Sequence, residues 1–185
     1  MTQDTSSRPG PSSGEELRPE LVSRTEAART LPPPVLTFID RDAEIEAVRT
    51  EIAAGRSIEF YAAEGTGKNA ILAHVAHELS PSTLSGGTVY LSARGVTLED
   101  MIQGMAEALF DSQVRVKIAP SRLRELAAGV SDPAARHPLL LIDNMELEAE
   151  ALEAMMSTLP GSSFVLASPE RRHDSIARSE SPMLA

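Results

Sequence analysis

Apolar positions along this chain follow two spacings, one helical and one in short contiguous runs. Ile45, Val48 and Ile52 recur three and four residues apart, which predicts a helix with one apolar face. Asp42 stands where a cap belongs and Gly55 where a helix C-terminal glycine belongs. Residues 57–61 then form a short β-type run. A glycine-containing loop follows, and a helical stretch over 69–79 carries Ile71, Leu72 and Val75 on one side. Residues 87–91 read as a second strand. Thr97 is positioned to cap a helix bearing Leu98, Met101, Ile102, Met105 and Leu109, with Asp100 at the capping-box position. A further helix is expected over 121–128. Residues 138–142 are continuously apolar, as in a strand covered on both faces. A helix over 146–159 is stopped by Pro160-Gly161, and 163–167 reads as a fourth strand. Strands alternating with helices imply an α/β fold, a three-layer parallel sheet.

The ends of the chain lack this pattern. Residues 1–36 are rich in Ser, Pro, Gly, Glu and Arg and read as a disordered tail or linker, since they offer little apolar surface to offset ordering the backbone. Residues 15–29 could form a transient helix, and Pro32, Pro33 and Pro34 impose an extended spacer. The domain is expected over 37–173, with a disordered tail over 174–185. There is no internal repeat.

Composition narrows the possible functions. Aromatic residues are 3% of the 185, so the core must be aliphatic. A formal net charge of −10 argues against a nucleic-acid surface, which needs Lys and Arg to replace counterions along phosphates. The chain contains no Cys, which excludes disulfides and thiolate metal sites. No apolar run approaches the roughly 20 residues that cross a bilayer, and residues 1–14 lack the apolar segment of a signal peptide. A cytoplasmic protein with no membrane partner is the default expectation.

The segment Ala62-Ala63-Glu64-Gly65-Thr66-Gly67-Lys68-Asn69 lies between a predicted strand and a predicted helix, the context of the phosphate-binding pattern G-x-x-x-x-G-K-[ST]. Gly67 and Lys68 match it; Ala62 replaces the first glycine and Asn69 the final hydroxyl residue. In such a loop, main-chain N–H groups and the first helical turn cradle phosphate oxygens. Gly65 and Gly67 free the backbone to aim those groups inward, and Lys68 adds a full positive charge. Ala63, Glu64, Gly65, Thr66, Gly67, Lys68 and Asn69 are therefore the expected nucleotide contacts. The hydroxyl at the last position normally ligates Mg²⁺. The Asn69 amide oxygen is a longer, differently placed ligand, so a weakened Mg²⁺ site is expected.

A second element is Leu139-Leu140-Leu141-Ile142-Asp143-Asn144, a buried strand ending in an acid. Coming after the loop, Asp143 is the expected partner of Mg²⁺ and the nucleotide. The neighbouring position holds Asn144, whose amide cannot act as a general base near neutral pH. Glu146 could substitute, but serves better at the N-terminus of the following helix. Slow or absent hydrolysis follows. His74 and His77 read as solvent-facing rather than as a zinc pair, because no third ligand is evident. Met101, Met105, Met155 and Met156 read as flexible core filling. Glu146, Glu148, Glu150 and Glu153 read as a solvated face.

Phe38-Ile39-Asp40-Arg41-Asp42-Ala43-Glu44-Ile45 resembles the entry motif of STAND-class ATPases, signal-transducing relatives of the AAA+ group that include NB-ARC proteins. That motif usually has Gly where Asp40 stands. The segment 139–144, Leu159-Pro160-Gly161 and 165–171 are similar to the Walker B strand, helix and sensor strand of bacterial STAND regulators. The resemblance implies that Phe38, Ile39 and Arg41 border the base and ribose, that Ser168 is a polar sensor, and that Arg171 is the nearest candidate for a γ-phosphate contact. It also implies a sheet in which the sensor strand lies between the Walker B and P-loop strands. Such relatives continue into a further strand, a helical lid and a winged-helix domain. The sequence runs out soon after the sensor segment, so a fragment and a reduced protein are both open, and the P-loop strand is expected at a sheet edge. The expected function is an ATP- or ADP-binding regulatory module with weak or absent hydrolysis, working with protein partners or further domains. The alternative is a nucleotide-free scaffold that kept the fold.

Overall fold

The structure, a computed structural model, describes residues 31–35, 41–79, 86–110, 117–130, 137–171 and 177–180. Phe38 and Ile39, most of the 1–36 tail and Arg172 lie outside the described residues. The elements are α1 (Asp42–Ala53), β1 (Ile58–Tyr61), α2 (Lys68–Leu79), β2 (Thr88–Ser92), α3 (Leu98–Leu109), α4 (Pro120–Ala128), β3 (Leu139–Asp143), α5 (Ala149–Met156), β4 (Ser163–Ser168) and β5 (Ala177–Glu180).

The strands form one parallel sheet in the order β2-β3-β4-β1-β5. Each parallel neighbour needs a crossover, and helices supply most of them, which puts apolar layers on both faces. Leu139 and Leu141 of β3 join Val165 and Ala167 of β4 and Ile58 and Phe60 of β1 beneath α1 and α2. Leu140 and Ile142 join Phe164 and Leu166 on the opposite face, under α3, α4 and α5. The strict alternation of these two sets follows from the period of two along a strand. All of β3 and β4 is buried, as their uninterrupted apolar sequences require. Met101, Met105 and Met155 pack in the second cluster with Met156 at its margin, so the methionines fill the core as expected. The four glutamates at 146, 148, 150 and 153 are exposed.

Helix ends follow local chemistry with one exception. Thr97 Oγ1 accepts the Asp100 N–H and the Asp100 carboxylate accepts the Thr97 N–H, a complete capping box for α3. Those hydrogen bonds hold the Asp100 carboxyl below its ordinary range. Gly55 has φ +68° just beyond α1, the left-handed backbone of a C′ glycine. Asp42, by contrast, is not the cap of α1. Arg41 occupies the N-cap position without a side-chain cap bond, and Asp42 is the first helical residue, where its charge still suits the helix dipole.

Three further expectations are corrected. Residues 177–180, placed in a disordered tail by their polar sequence, form β5 and pair in register with β1. The P-loop strand is consequently not at an edge: β1 lies between β4 and β5. Finally, α5 begins at Ala149 rather than at residue 146, so Glu146 belongs to the β3–α5 loop. Residues 31–35, assigned to the linker, run beside the domain. Leu31 packs against the α1–α2 cluster, and His77 Nε2 lies 2.7 Å from the Pro32 carbonyl. A carbonyl only accepts, so that nitrogen carries the hydrogen.

Candidate functional site

The C-terminal ends of parallel strands open onto a common crevice, where α/β sheets place their ligands. Here the β1–α2 loop, the β2–α3 loop and the end of β3 surround a cleft of about 370 Å³, within the range of small-molecule sites. Its charged lining is Glu64, Lys68, Arg94 and Glu146.

The loop has the backbone its sequence calls for. Gly65 and Gly67 have φ of +82° and +85°, conformations that a side chain would strain. Ala62 is not in the left-handed region, so alanine in place of the first glycine costs nothing in φ. Ala62 N–H donates to the Ser168 carbonyl at 3.3 Å, and the amides of Ala70 and Ile71 return to the Gly67 carbonyl. Among the described residues, no protein acceptor takes the N–H groups of residues 64–69. Six consecutive donors thus lead into the positive end of α2, a main-chain anion cradle.

Lys68 is buried at the first position of α2. Its ammonium donates to the carbonyls of Ala62 at 2.5 Å and Ala63 at 2.7 Å. Burial pulls its pKa below the ordinary lysine range, an effect partly offset by the carboxylates of Asp143 and Glu64. The loop is anchored from outside the motif. Buried Arg41 donates from Nη2 to the Thr66 carbonyl at 2.7 Å and from Nη1 to Glu44 at 2.6 Å. The resemblance placed Arg41 beside the base and ribose; the structure places its guanidinium under the phosphate loop.

Asp143 is the last residue of β3, buried on the α1–α2 face. Tyr90 of the neighbouring strand donates its hydroxyl to Oδ2 at 3.0 Å, and the Asn144 N–H donates to Oδ1 at 2.7 Å. Burial, reinforced by the Asp143 charge, pushes the Tyr90 hydroxyl far above its usual range, so it stays a donor. Tyr90→Phe should therefore cost about 1.5–3 kcal/mol, the value of a hydrogen bond to a charged group, read as a lower urea midpoint with an unchanged slope.

Ser168, the sensor candidate, lines the cleft but commits its hydroxyl hydrogen to Glu59 Oε1 at 2.7 Å inside the core. With that hydrogen committed, the hydroxyl is left only as an acceptor, which suits a phosphate oxygen poorly. Arg171 is exposed and outside the cleft lining. Asn69 is exposed in the first turn of α2 and does line the cleft. Glu146 does not serve α5: its carboxylate accepts the Gly95 N–H at 3.2 Å. His74 lies 3.5 Å from Glu78, and no group of three His, Cys, Asp or Glu that could hold a metal occurs among the described residues.

One functional candidate escaped the sequence reading. Arg94, two residues beyond β2, reaches across the cleft mouth to Glu64 Oε1 at 3.1 Å and to Asn144 Oδ1 at 3.2 Å. Its only sequence signal is an Arg-Gly pair directly after a strand. Asn144, at φ +50°, is the one described non-glycine residue with positive φ, a conformation Asn tolerates better than most.

The strand order and the glycine loop that enters α2 at Lys68 give this chain a parallel α/β fold of P-loop type.

No protein-family model and no curated protein matches the chain. Solved structures similar to it include the Walker-type ATPase of Pyrococcus abyssi, with 12% identity and a TM-score of 0.46 over 77% of this chain and 49% of that one. A chain of Drosophila ORC bound to DNA has 15% identity and a TM-score of 0.43, over 79% of this chain and 96% of that one. A chain from Drosophila ORC bound to AT-rich DNA and Cdc6 has 17% identity and a TM-score of 0.41, over 70% and 48%. The chain spans about half the length of the first and third of these. No helix among the described residues is long and apolar enough to cross a membrane.

Proposed function

We infer that this chain is an ATP- or ADP-binding regulatory module of STAND type, acting in cytoplasmic signal transduction with weak or absent hydrolysis. The observation that carries the reading is the row of uncommitted amides over residues 64–69, ending at a buried lysine on a helix N-terminus. Those donors are built for an anion of several oxygens. Lys68 supplies the compensating charge. Phe38 and Ile39 remain the proposed neighbours of the base, while Arg41 acts by fixing the loop.

Asn69 and Asp143 are the residues that would help hold Mg²⁺, which neutralises charge on the phosphates when bound. Both Asp143 oxygens already accept a hydrogen bond, and Asn69 offers a single amide oxygen. This donor set fits a metal held chiefly by the nucleotide and water. Hydrolysis needs a base, and neither candidate is suited to the task. Asn144 is an amide that Arg94 engages, and Glu146 is hydrogen-bonded to the β2–α3 loop. Protein partners or further domains of a longer chain would read the bound state.

A nucleotide-free scaffold is the second reading, favoured by one observation: the Lys68 ammonium is already satisfied by two loop carbonyls. Thermal unfolding separates the two. A ligand that binds the native state raises the melting temperature as its concentration grows. Rising curves with ATP or ADP are expected; flat curves with both would establish the scaffold.

A further inference from the structure

We propose that Arg94 is a second phosphate-binding cation, reserved for the terminal phosphate of a nucleoside triphosphate, and that Glu64 competes with that phosphate for it. This rests on the nucleotide-binding reading above and adds a basis for telling triphosphate from diphosphate.

Geometry places Arg94 opposite the anion cradle. It comes from the β2–α3 loop, touches Asn144 at the end of β3, and reaches Glu64, the residue before Gly65 in the phosphate loop. Arg94, Lys68 and Asn144 line one cleft. With two phosphates on the amides of residues 64–69, the third is assigned to the β3 end of the same cleft, where Arg94 contacts Asn144. No other cation lines the cleft among the described residues. The positions from which the family resemblance would draw a terminal-phosphate contact are not so placed: Ser168 turns its hydrogen to Glu59, and Arg171 is outside the lining.

Charge makes the competition necessary. The two cations of the lining, Lys68 and Arg94, are matched by two carboxylates, Glu64 and Glu146, so the cleft as it stands gains little from a polyanion. The Arg94–Glu64 pair is exposed, with 62% and 82% of the side chains accessible. Such a pair is only weakly held in water. A phosphate presents two oxygens to the guanidinium fork and binds it more strongly than one exposed carboxylate does. An arriving terminal phosphate can therefore take Arg94 and release Glu64 to solvent. In this proposal a diphosphate does not take Arg94 and leaves the Glu64 contact intact. The same event loosens Arg94 from Asn144, so the triphosphate state is marked in the β2–α3 loop, on the outer surface of the domain.

Calorimetric titration of the full chain with MgATP and MgADP tests this. Arg94→Ala is expected to weaken ATP about tenfold and ADP less than about twofold. Glu64→Gln is expected to tighten ATP about threefold, and to do nothing once Arg94 is also alanine. An equal loss for both nucleotides, no loss for either, or a Glu64→Gln gain that survives in the double variant would overturn the proposal while leaving nucleotide binding intact. Failure of the parent reading looks different: the wild type binds neither nucleotide, and Lys68→Ala matches it, which overturns both. Both side chains are exposed, and equal melting temperatures of the unliganded proteins confirm that folding is not the cause.

Discussion

Lys68→Ala is expected to remove nucleotide-dependent stabilisation while leaving the unliganded domain folded. A buried, hydrogen-bonded charge that loses its partner in a complex costs about 2–5 kcal/mol of binding, so the affinity for ATP and ADP should fall by about 30-fold to several thousandfold, with about hundredfold corresponding to about 2.7 kcal/mol. The consequence for melting is calculable. At a ligand concentration of about 100 Kd the wild type gains about 2.7 kcal/mol, and the variant at the same concentration gains only about 0.4 kcal/mol. For a domain of this size the difference amounts to roughly 5–10 °C in Tm. The apo protein should change far less. The ammonium bonds two loop carbonyls, but burial already disfavours its charged form, and the two terms oppose. The shift also fixes the sign with pH. A lysine whose folded pKa lies below its unfolded value penalises the fold at low pH, and the penalty is relieved as pH rises through the folded value. A ligand-induced shift retained in Lys68→Ala would place the nucleotide somewhere other than this loop.

The loop was legible because its shape resides in the main chain. Gly65 and Gly67 are read from sequence for the same reason they are needed in space: their φ values exclude other residues. Asp143 was legible because a carboxylate ending an apolar strand marks the sheet's C-terminal edge, and the resemblance correctly put β4 between β3 and β1. The misses have a different origin. β5 has the sequence Ala-Arg-Ser-Glu, with no apolar alternation to detect. A strand at the edge of a sheet can be polar, and polar edges resist further pairing. Arg94 is exposed, and nothing local distinguishes it from other surface arginines; only the fold brings it 30 residues back to Glu64. The Ser168–Glu59 bond spans 109 residues and joins neighbouring strands whose adjacency the sequence implies but whose side-chain pairing it does not. Glu146 reads from sequence as a helix-start residue, but α5 begins three residues later, and its carboxylate instead ties the β3–α5 loop to Gly95. Short-range chemistry was thus visible, whereas polar contacts between distant loops were not.

Arg41→Ala is expected to cost about 3–5 kcal/mol of folding stability, the penalty for leaving a buried charge without its partner. Both members of the Arg41–Glu44 pair are buried, at 4% and 5% exposure, and the other guanidinium nitrogen holds the Thr66 carbonyl across 25 residues. The truncation strands the Glu44 carboxylate and releases the loop at once. Against a typical total of about 5–15 kcal/mol, this is the largest single loss anticipated outside the apolar core. The pair itself is not expected to be a source of net stability, because desolvating two charges offsets most of their attraction. Arg41→Met combined with Glu44→Leu should therefore recover most of the loss in urea unfolding. It should not recover the loop, since methionine cannot donate to Thr66. Nucleotide affinity should stay below wild type in the double variant even where stability returns. A double variant restored in both respects would show that the phosphate loop holds its shape without Arg41; one restored in stability alone would assign that residue to preorganising the cradle of amides.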